Sequence, residues 1–279
     1  MDPRQQPASR HLARGSLPCA DAVAGYPEGH ERAFNGGGRT AAFQRLECRR
    51  ALFCRRRLAR RQFVRGLGVK IYPIVEGHGE VQAVPVLLRR LLSQAQCHRV
   101  DVGRPILRTQ AQFRSQEEIQ KAVRLALLQP DCAAVVILFD GEDDCPKDAA
   151  EKVRAWARGA AGQIPCDVVI AYREYETWFL AAVESLRGKC GISDVAAAPD
   201  NPESRRDAKG ALEEFMPERR AYSETLDQPA MSAVFDMGRA HRRSRSFRKL
   251  VKAVGEILSQ LHQPLTAWPP PQWQDVGAQ

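Results

Sequence analysis

The chain has 279 residues, 44% of them hydrophobic and 27% charged, with a formal net charge of +9. This balance is typical of a globular protein and excludes a chain that is disordered throughout. Residues 1–68 contain 14 arginines, no lysine and five acids, whereas residues 69–279 carry 28 basic and 28 acidic side chains. The whole charge excess therefore lies in the first quarter of the chain.

Apolar runs reach seven or eight residues, as in 132–139, which is too short for a membrane span. The N-terminus lacks the apolar segment of a secretion signal. The eight cysteines include no C-x-x-C pair, which favours reduced thiols over a disulfide framework or a zinc site. We therefore expect a cytoplasmic protein without a membrane partner.

Residues 1–68 mix proline, glycine and arginine and are expected to be poorly structured. A nucleic-acid-binding arm, a transit peptide and a segment outside the working protein are the alternatives. Charge balance and clear periodicity both begin near Val69. We therefore hypothesise that residues 1–66 are a dispensable or mis-annotated extension.

From Val69 onward, strand-like and helix-like segments alternate, which predicts an α/β fold with a parallel sheet flanked by helices. In chain order we expect a strand over 69–75, a helix over 80–94, an extended segment over 98–108, a helix from 115 to 128, a strand over 133–139, a helix over 147–159 and a strand over 167–172.

Several residues refine these predictions. Pro73 favours an edge or irregular position for the first strand, and Pro85 is tolerable if it lies in the first helical turn. Residues 115–118 (SQEE) form a capping box. The apolar run 133–139 is typical of a strand covered on both faces.

The remainder of the domain, assigned to residues 69–262, is expected to be mostly helical. The predicted helices cover 175–186, 207–215, 226–240 and 246–261. The proline-rich tail, residues 263–279, is expected to be loose.

Carboxylates follow three of the predicted strands. Glu76 ends the first strand and Glu80 begins the next helix, Asp140 and Glu142 follow the buried strand, and Glu176 comes after the third. In open parallel sheets, ligands bind beyond these carboxyl ends. Close carboxylates repel one another, and one or two Mg²⁺ or Mn²⁺ ions would neutralise them. The alternative is that these acids face solvent or favour helix dipoles.

Two segments resemble the signature of Toprim domains, in which a lone glutamate after one strand is followed by a D-x-D pair after another. They are residues 75–80 (VEGHGE) and 139–146 (FDGEDDCP), and the second glutamate, Glu80, resembles the OLD-type nuclease pattern. Residues 69–262 are similar to a Toprim-like bacterial domain-of-unknown-function family, number 4276. Further matching segments are 173–179 (REYETWF) and 244–247 (SRSF).

The resemblance implies Mg²⁺-dependent cleavage of DNA or RNA, in phage defence beside an ATPase encoded nearby. It assigns Glu76 as a general base or acid and metal ligand, with Asp140, Glu142 and Asp144 holding metal. Glu142 stands where the pattern has aspartate. A longer side chain can still coordinate, but it changes the spacing of the metals.

A basic segment without acids lies between Asp236 and Glu256. Together with the acids that follow the three strands, this segment would suit binding of a phosphate backbone. A solvated helix face explains the basic segment equally well. The candidate phosphate contacts are Lys209, Arg242, Arg243, Arg245 and Arg248. His78 is a candidate ligand or acid, although a histidine in a turn is more often incidental.

Two other functions compete with the nuclease. Asp140 in D-G-E superficially resembles the nucleophile of an aspartyl phosphatase, but a strand ending in Glu76 precedes it. A non-catalytic metal- or nucleic-acid-binding subunit is the second alternative, with Glu142 marking lost activity. The sequence contains no P-loop, G-x-S-x-G or G-x-G-x-x-G motif, and it leaves the oligomeric state open.

Removal of residues 1–66 is expected to leave nucleic-acid cleavage unchanged, because the domain that carries the carboxylates begins near Val69. The measurement compares the truncated and full-length proteins in one cleavage assay. Loss of cleavage in the truncated protein would show that the extension takes part in function.

Overall fold

The computed structural model describes residues 68–141 and 146–274, and the extension over residues 1–66 lies outside this range. The strands β1, β2, β3, β4 and β5 form one parallel sheet in the order β2-β1-β4-β5, and β3 also pairs with β1. Their bounds are Val69–Val75, Val100–Val102, Ile106–Leu107, Cys132–Asp140 and Cys166–Ala171. The parallel α/β fold predicted from the sequence is confirmed.

The α-helices of the described residues follow in chain order. They are α1 (His78–Gln94), α2 (Gln110–Phe113), α3 (Gln116–Leu128), α4 (Pro146–Ala161), α5 (Thr177–Leu180), α6 (Ala208–Glu213), α7 (Asp227–Val234), α8 (Met237–Arg243) and α9 (Arg245–Gln260). The Ser115 hydroxyl caps α3 by accepting from the Glu118 N–H at 3.4 Å, as the capping box predicts. No helix in this part of the chain is apolar over the length that a bilayer crossing needs.

Two apolar layers cover the two faces of the sheet. Alternation along β4 sends Val136 and Leu138 to the layer of α1 and the C-terminal helices, and Val135 and Ile137 to the layer of α3 and α4. All four side chains are at most 1% exposed. This two-sided burial explains why β4 is a continuous apolar run.

Pro73 lies in an interior strand, so the expectation of an edge position is wrong. Val69 N–H and Val75 C=O form hydrogen bonds on the side of β2 and β3, and by alternation the Pro73 nitrogen faces that side too. There β1 pairs through Ile71 with β2 and again from Ile74 with β3. The Pro73 nitrogen cannot donate a hydrogen bond. It therefore faces the gap between the two short partner strands β2 and β3.

Three helical predictions need correction. The helix predicted over 175–186 divides into the short α5 and a separate 3₁₀ turn over Val183–Leu186. Pro85 is buried in the interior of α1 rather than in its first turn. The helix predicted over 226–240 divides into α7 and α8, because Phe235 is extended and Asp236 caps α8 by accepting from the Arg239 N–H at 3.0 Å. The break buries the Phe235 ring completely against neighbouring aromatic rings.

The segment after residue 262 is packed rather than loose, as far as the structure describes it. The Trp268 indole donates to the Val251 carbonyl at 2.8 Å. Trp273 is only 6% exposed and joins the apolar layer of the C-terminal helices. The expectation of a loose tail is therefore corrected up to Gln274, because its indole rings complete the core.

A buried polar chain fixes the start of α9. The Trp178 indole N–H donates to the Ser246 hydroxyl at 2.9 Å, and this hydroxyl donates to Glu203 Oε1 at 3.1 Å. The Glu203 oxygen also accepts from the Ser244 hydroxyl at 2.8 Å. The sequence motif at 244–247 therefore ties α9 to α5, which follows the last strand.

Ser246→Ala is expected to lower the free energy of unfolding by about 1–3 kcal/mol, because it leaves the buried Trp178 N–H without an acceptor. Urea unfolding measures the change. Ser259→Ala, at an exposed position of the same helix, serves as the control and should change stability by about 0.5 kcal/mol or less. Equal effects of the two substitutions would contradict this role of Ser246.

Candidate functional site

The carboxyl ends of β1, β4 and β5 lie side by side because these strands are parallel neighbours. The Asp140 backbone N–H donates to Glu76 Oε2 at 3.2 Å. Asp140 Oδ1 in turn accepts from the Tyr175 backbone N–H at 2.9 Å. Asp140 therefore joins the loops that follow all three strands, as the sequence predicts for this edge of the sheet.

Glu80 and Glu176 extend this group below the surface. Glu80 is 6% exposed and Glu176 is fully buried. A side chain at Gly77 would collide with the Glu80 carboxylate, and one at Gly79 would collide with the amide of Gln228. The two glycines of the first loop therefore let α1 and α7 approach closely around these carboxylates.

Helix α7 contributes residues that the sequence analysis missed. Gln228 Nε2 donates to Glu176 Oε1 at 3.2 Å. The helix is held in place by the Tyr175 hydroxyl, 2.9 Å from the Ser232 hydroxyl, and by the Arg90 guanidinium, which donates to the Ser232 carbonyl at 2.8 Å. A lone glutamine in an amphipathic helix gives no sequence signal for such a role.

One lysine supplies the positive charge of the group. Lys209 Nζ lies 2.5 Å from Glu224 Oε1. Although burial opposes its charge, Glu176, Glu224 and Asp140 raise the pKa of Lys209. The sequence analysis predicted Lys209 as a phosphate contact, and the structure places it beside the carboxylates, where it compensates part of their charge.

Burial shifts the carboxylates toward their protonated forms. Burial, together with the charges of Glu80, Glu176 and Glu76, raises the pKa of Asp140 well above its usual range, although the residue is partly exposed at the sheet edge. Burial also raises the pKa of Glu80. For Glu176, burial raises the pKa to about 7, although Lys209 opposes the shift.

We call Glu76, Glu80, Asp140 and Glu176 the carboxylate cluster. Glu80 Oε2 and Glu176 Oε2 are buried and have no hydrogen bond of ordinary length within the described residues. The Tyr222 hydroxyl interacts with the Glu176 carboxylate, and the Gly77 backbone interacts with that of Glu80. Buried oxygens without donors are costly, and a hard cation bound by such oxygens would remove this cost. Carboxylate oxygens are the type of ligand that Mg²⁺ and Mn²⁺ prefer.

The described residues do not by themselves complete a metal centre. Within 68–141 and 146–274, no three histidine, cysteine or carboxylate side chains are grouped closely enough to bind one ion. Two predicted ligands, Glu142 and Asp144, lie outside these ranges.

The remaining candidates are His78 and the arginines of the basic segment. His78 is exposed at the start of α1, and Arg242 and Arg245 are exposed near the end of α8 and the start of α9. Arg243 binds Glu184, with its Nη1 2.8 Å from both carboxylate oxygens. Arg248 donates to the His241 and Arg242 carbonyls, both at 2.9 Å, so this arginine and Arg243 have structural partners.

The chain matches one protein-family model, described as "Domain of unknown function (DUF4276)", over residues 75–255. This range includes the carboxylate cluster, Lys209 and all the helices that surround them. No curated protein and no solved structure matches the chain.

The stability of the metal-free protein is expected to fall as the pH rises from about 4.5 to about 7. The folded pKa of Glu176, about 7, lies above its ordinary value of 4.5, so the stability from protonated Glu176 is complete below pH 4.5 and is lost as the pH passes 7. Glu176→Gln should therefore stabilise the protein at pH 8, on the order of 3 kcal/mol.

Urea unfolding in EDTA between pH 5 and pH 8 measures both effects. Glu256→Gln removes a carboxylate from an exposed position of α9 and should keep the wild-type pH dependence. A Glu176→Gln protein as pH-dependent as the wild type would show that Glu176 is ionised in the folded protein across this range.

Proposed function

The chain belongs to the DUF4276 family of domains of unknown function, and we propose that it is a metal-dependent nuclease of the Toprim type. Its cofactor is Mg²⁺ or Mn²⁺, and its substrate is the phosphodiester backbone of DNA or RNA. The protein would act in the cytoplasm, together with an ATPase encoded nearby.

One observation carries the proposal. Glu80 and Glu176 each keep a buried oxygen without a hydrogen bond of ordinary length, next to Asp140 at the carboxyl edge of a parallel sheet. If these positions served only to stabilise the fold, apolar side chains or neutral hydrogen-bonding pairs would be expected there. Retained acids at this edge favour a bound cation, because cation binding offsets the cost of burying them.

The metal would polarise the phosphodiester and stabilise the charge that develops on it. Glu76, Glu80, Asp140 and Glu176 are the proposed ligands among the described residues. They would need Glu142 and Asp144 beside them, because no three of the described carboxylates are close enough to bind one ion by themselves. Glu76 is the predicted general base or acid, and its position at the end of β1 supports this role. Hydrogen bonds from the Asp140 and Tyr175 backbones orient Glu76 and Asp140, respectively.

Exposed arginines at the junction of α8 and α9 would bind the backbone. Arg242 and Arg245 are exposed and lie near the start of α9, which the buried hydrogen bond between Trp178 and Ser246 ties to the helix after β5. Contacts from such arginines to phosphate depend on salt and not on base sequence.

Asp140→Asn is expected to lower Mg²⁺- or Mn²⁺-dependent cleavage of plasmid and transfer RNA by more than about 100-fold, because it removes a ligand charge from the centre of the cluster. Asp148→Asn is the matched control, since Asp148 is exposed in the first turn of α4. It should cleave like the wild type. Undiminished cleavage by Asp140→Asn would reject the mechanism.

The wild type and these two variants also distinguish the nuclease from the alternative, a non-catalytic binding subunit. Glu142, which stands in place of an aspartate, supports that alternative. Stabilisation by Mn²⁺ in a thermal melt reports metal binding independently of turnover. Mn²⁺ binding that Asp140→Asn removes, without cleavage of any nucleic acid by the wild type, would favour the binding subunit. An ATPase that co-purifies with the chain would strengthen that result.

A further inference from the structure

A second recess opens at the same sheet edge, on the opposite face from Glu80 and Glu176. Its volume is about 280 Å³, and it lies between α2, the end of β4 and the first turns of α4. Asp140 and Gly141 form one end of it. The recess therefore adjoins the residue at the centre of the carboxylate cluster, and we call it the α2–α4 cleft.

Aromatic rings form much of the cleft. The Phe113 and Phe139 rings stack with centroids 4.6 Å apart and planes at 21°, and both are nearly buried. Trp156 on α4 also lines the cleft and is only partly covered. A half-exposed indole beside a buried aromatic pair provides a flat apolar surface that a planar ligand can reach.

The polar groups of the cleft are mainly cationic. Lys152 Nζ lies 5.0 Å from the centroid of the Trp156 ring. Lys152 and Arg114 are both exposed where they line the cleft, and Gln110 adds a neutral amide. An aromatic face, two cations and an amide are the groups that bind a nucleobase together with its phosphate.

We propose that the α2–α4 cleft receives one unpaired nucleobase of the strand whose phosphate the proposed metal site at Asp140 would bind. The inference rests on the proposed function and adds a substrate class to it: a single strand, or a duplex from which one base has left the stack. A volume of about 280 Å³ is just below the range of roughly 300–1,000 Å³ that holds drug-sized ligands. It suits a single planar ring system, and a paired base cannot enter such a recess without leaving its stack.

The base stacks on the Trp156 indole, where Lys152 now lies. Because Lys152 is exposed, its ammonium group can move from the ring to the phosphate that accompanies the base. Stacking on an aromatic ring tolerates any base, so the cleft selects for the absence of pairing and not for a sequence.

Binding of fluorescent oligonucleotides in EDTA tests this inference without cleavage. The probes are an eight-nucleotide thymidine strand and its abasic equivalent, which carries the same phosphates and no bases. The thymidine strand should bind more tightly to the wild type than the abasic strand does. Trp156→Leu, which keeps apolar volume in the core, should weaken thymidine binding about 5- to 100-fold and leave abasic binding unchanged.

Trp156→Phe retains an aromatic ring and should retain most of the preference for bases, which separates stacking from a general loss of packing. Equal binding of the two strands by the wild type, or wild-type binding by Trp156→Leu, would overturn the inference. If the wild type binds the thymidine strand more tightly than the abasic strand and Trp156→Leu does not, the inference holds even if no metal-dependent cleavage is found. Cleavage that depends on Asp140 without any base preference would uphold the nuclease alone.

Discussion

The repulsion among Glu80, Asp140 and Glu176 is the constraint on which the rest of the site depends. Burial raises the pKa values of all three carboxyl groups, and the charges of the other members of the cluster add to the shifts of Asp140 and Glu176. Lys209 supplies compensating charge from α6, and Gln228 supplies a hydrogen bond from α7. The C-terminal helices therefore compensate part of the negative charge at the carboxyl edge of the sheet, which would otherwise be strongly acidic.

The parallel order of the strands determines where in the molecule these carboxylates meet. Since β1, β4 and β5 are neighbours that run in one direction, the loops that follow them must share one edge. The two faces of that edge then differ in chemistry. The face of α1 and α7 presents carboxylates, while the face of α2 and α4 presents aromatic rings and cations. Asp140 lies between them.

The sequence predicted the parts of the structure that depend on local pattern. The apolar run of β4, the capping box at Ser115 and the acids after three strands were all recognisable, because periodicity and strand order are enough to place them. Pro73 was misplaced because the pattern of one strand cannot show a gap between two partners. The break at Phe235 depends on distant aromatic rings, and the contacts of Gln228 depend on how α7 packs. Such features follow from tertiary contacts alone.

The position of Lys209 and Gln228 along the chain has a consequence for synthesis. All four members of the carboxylate cluster are synthesised before Lys209, Glu224 and α7. An emerging chain therefore presents these acids without the cation and the glutamine that stabilise them in the finished fold. The complete arrangement therefore forms only when the last quarter of the chain, from α6 onward, has docked.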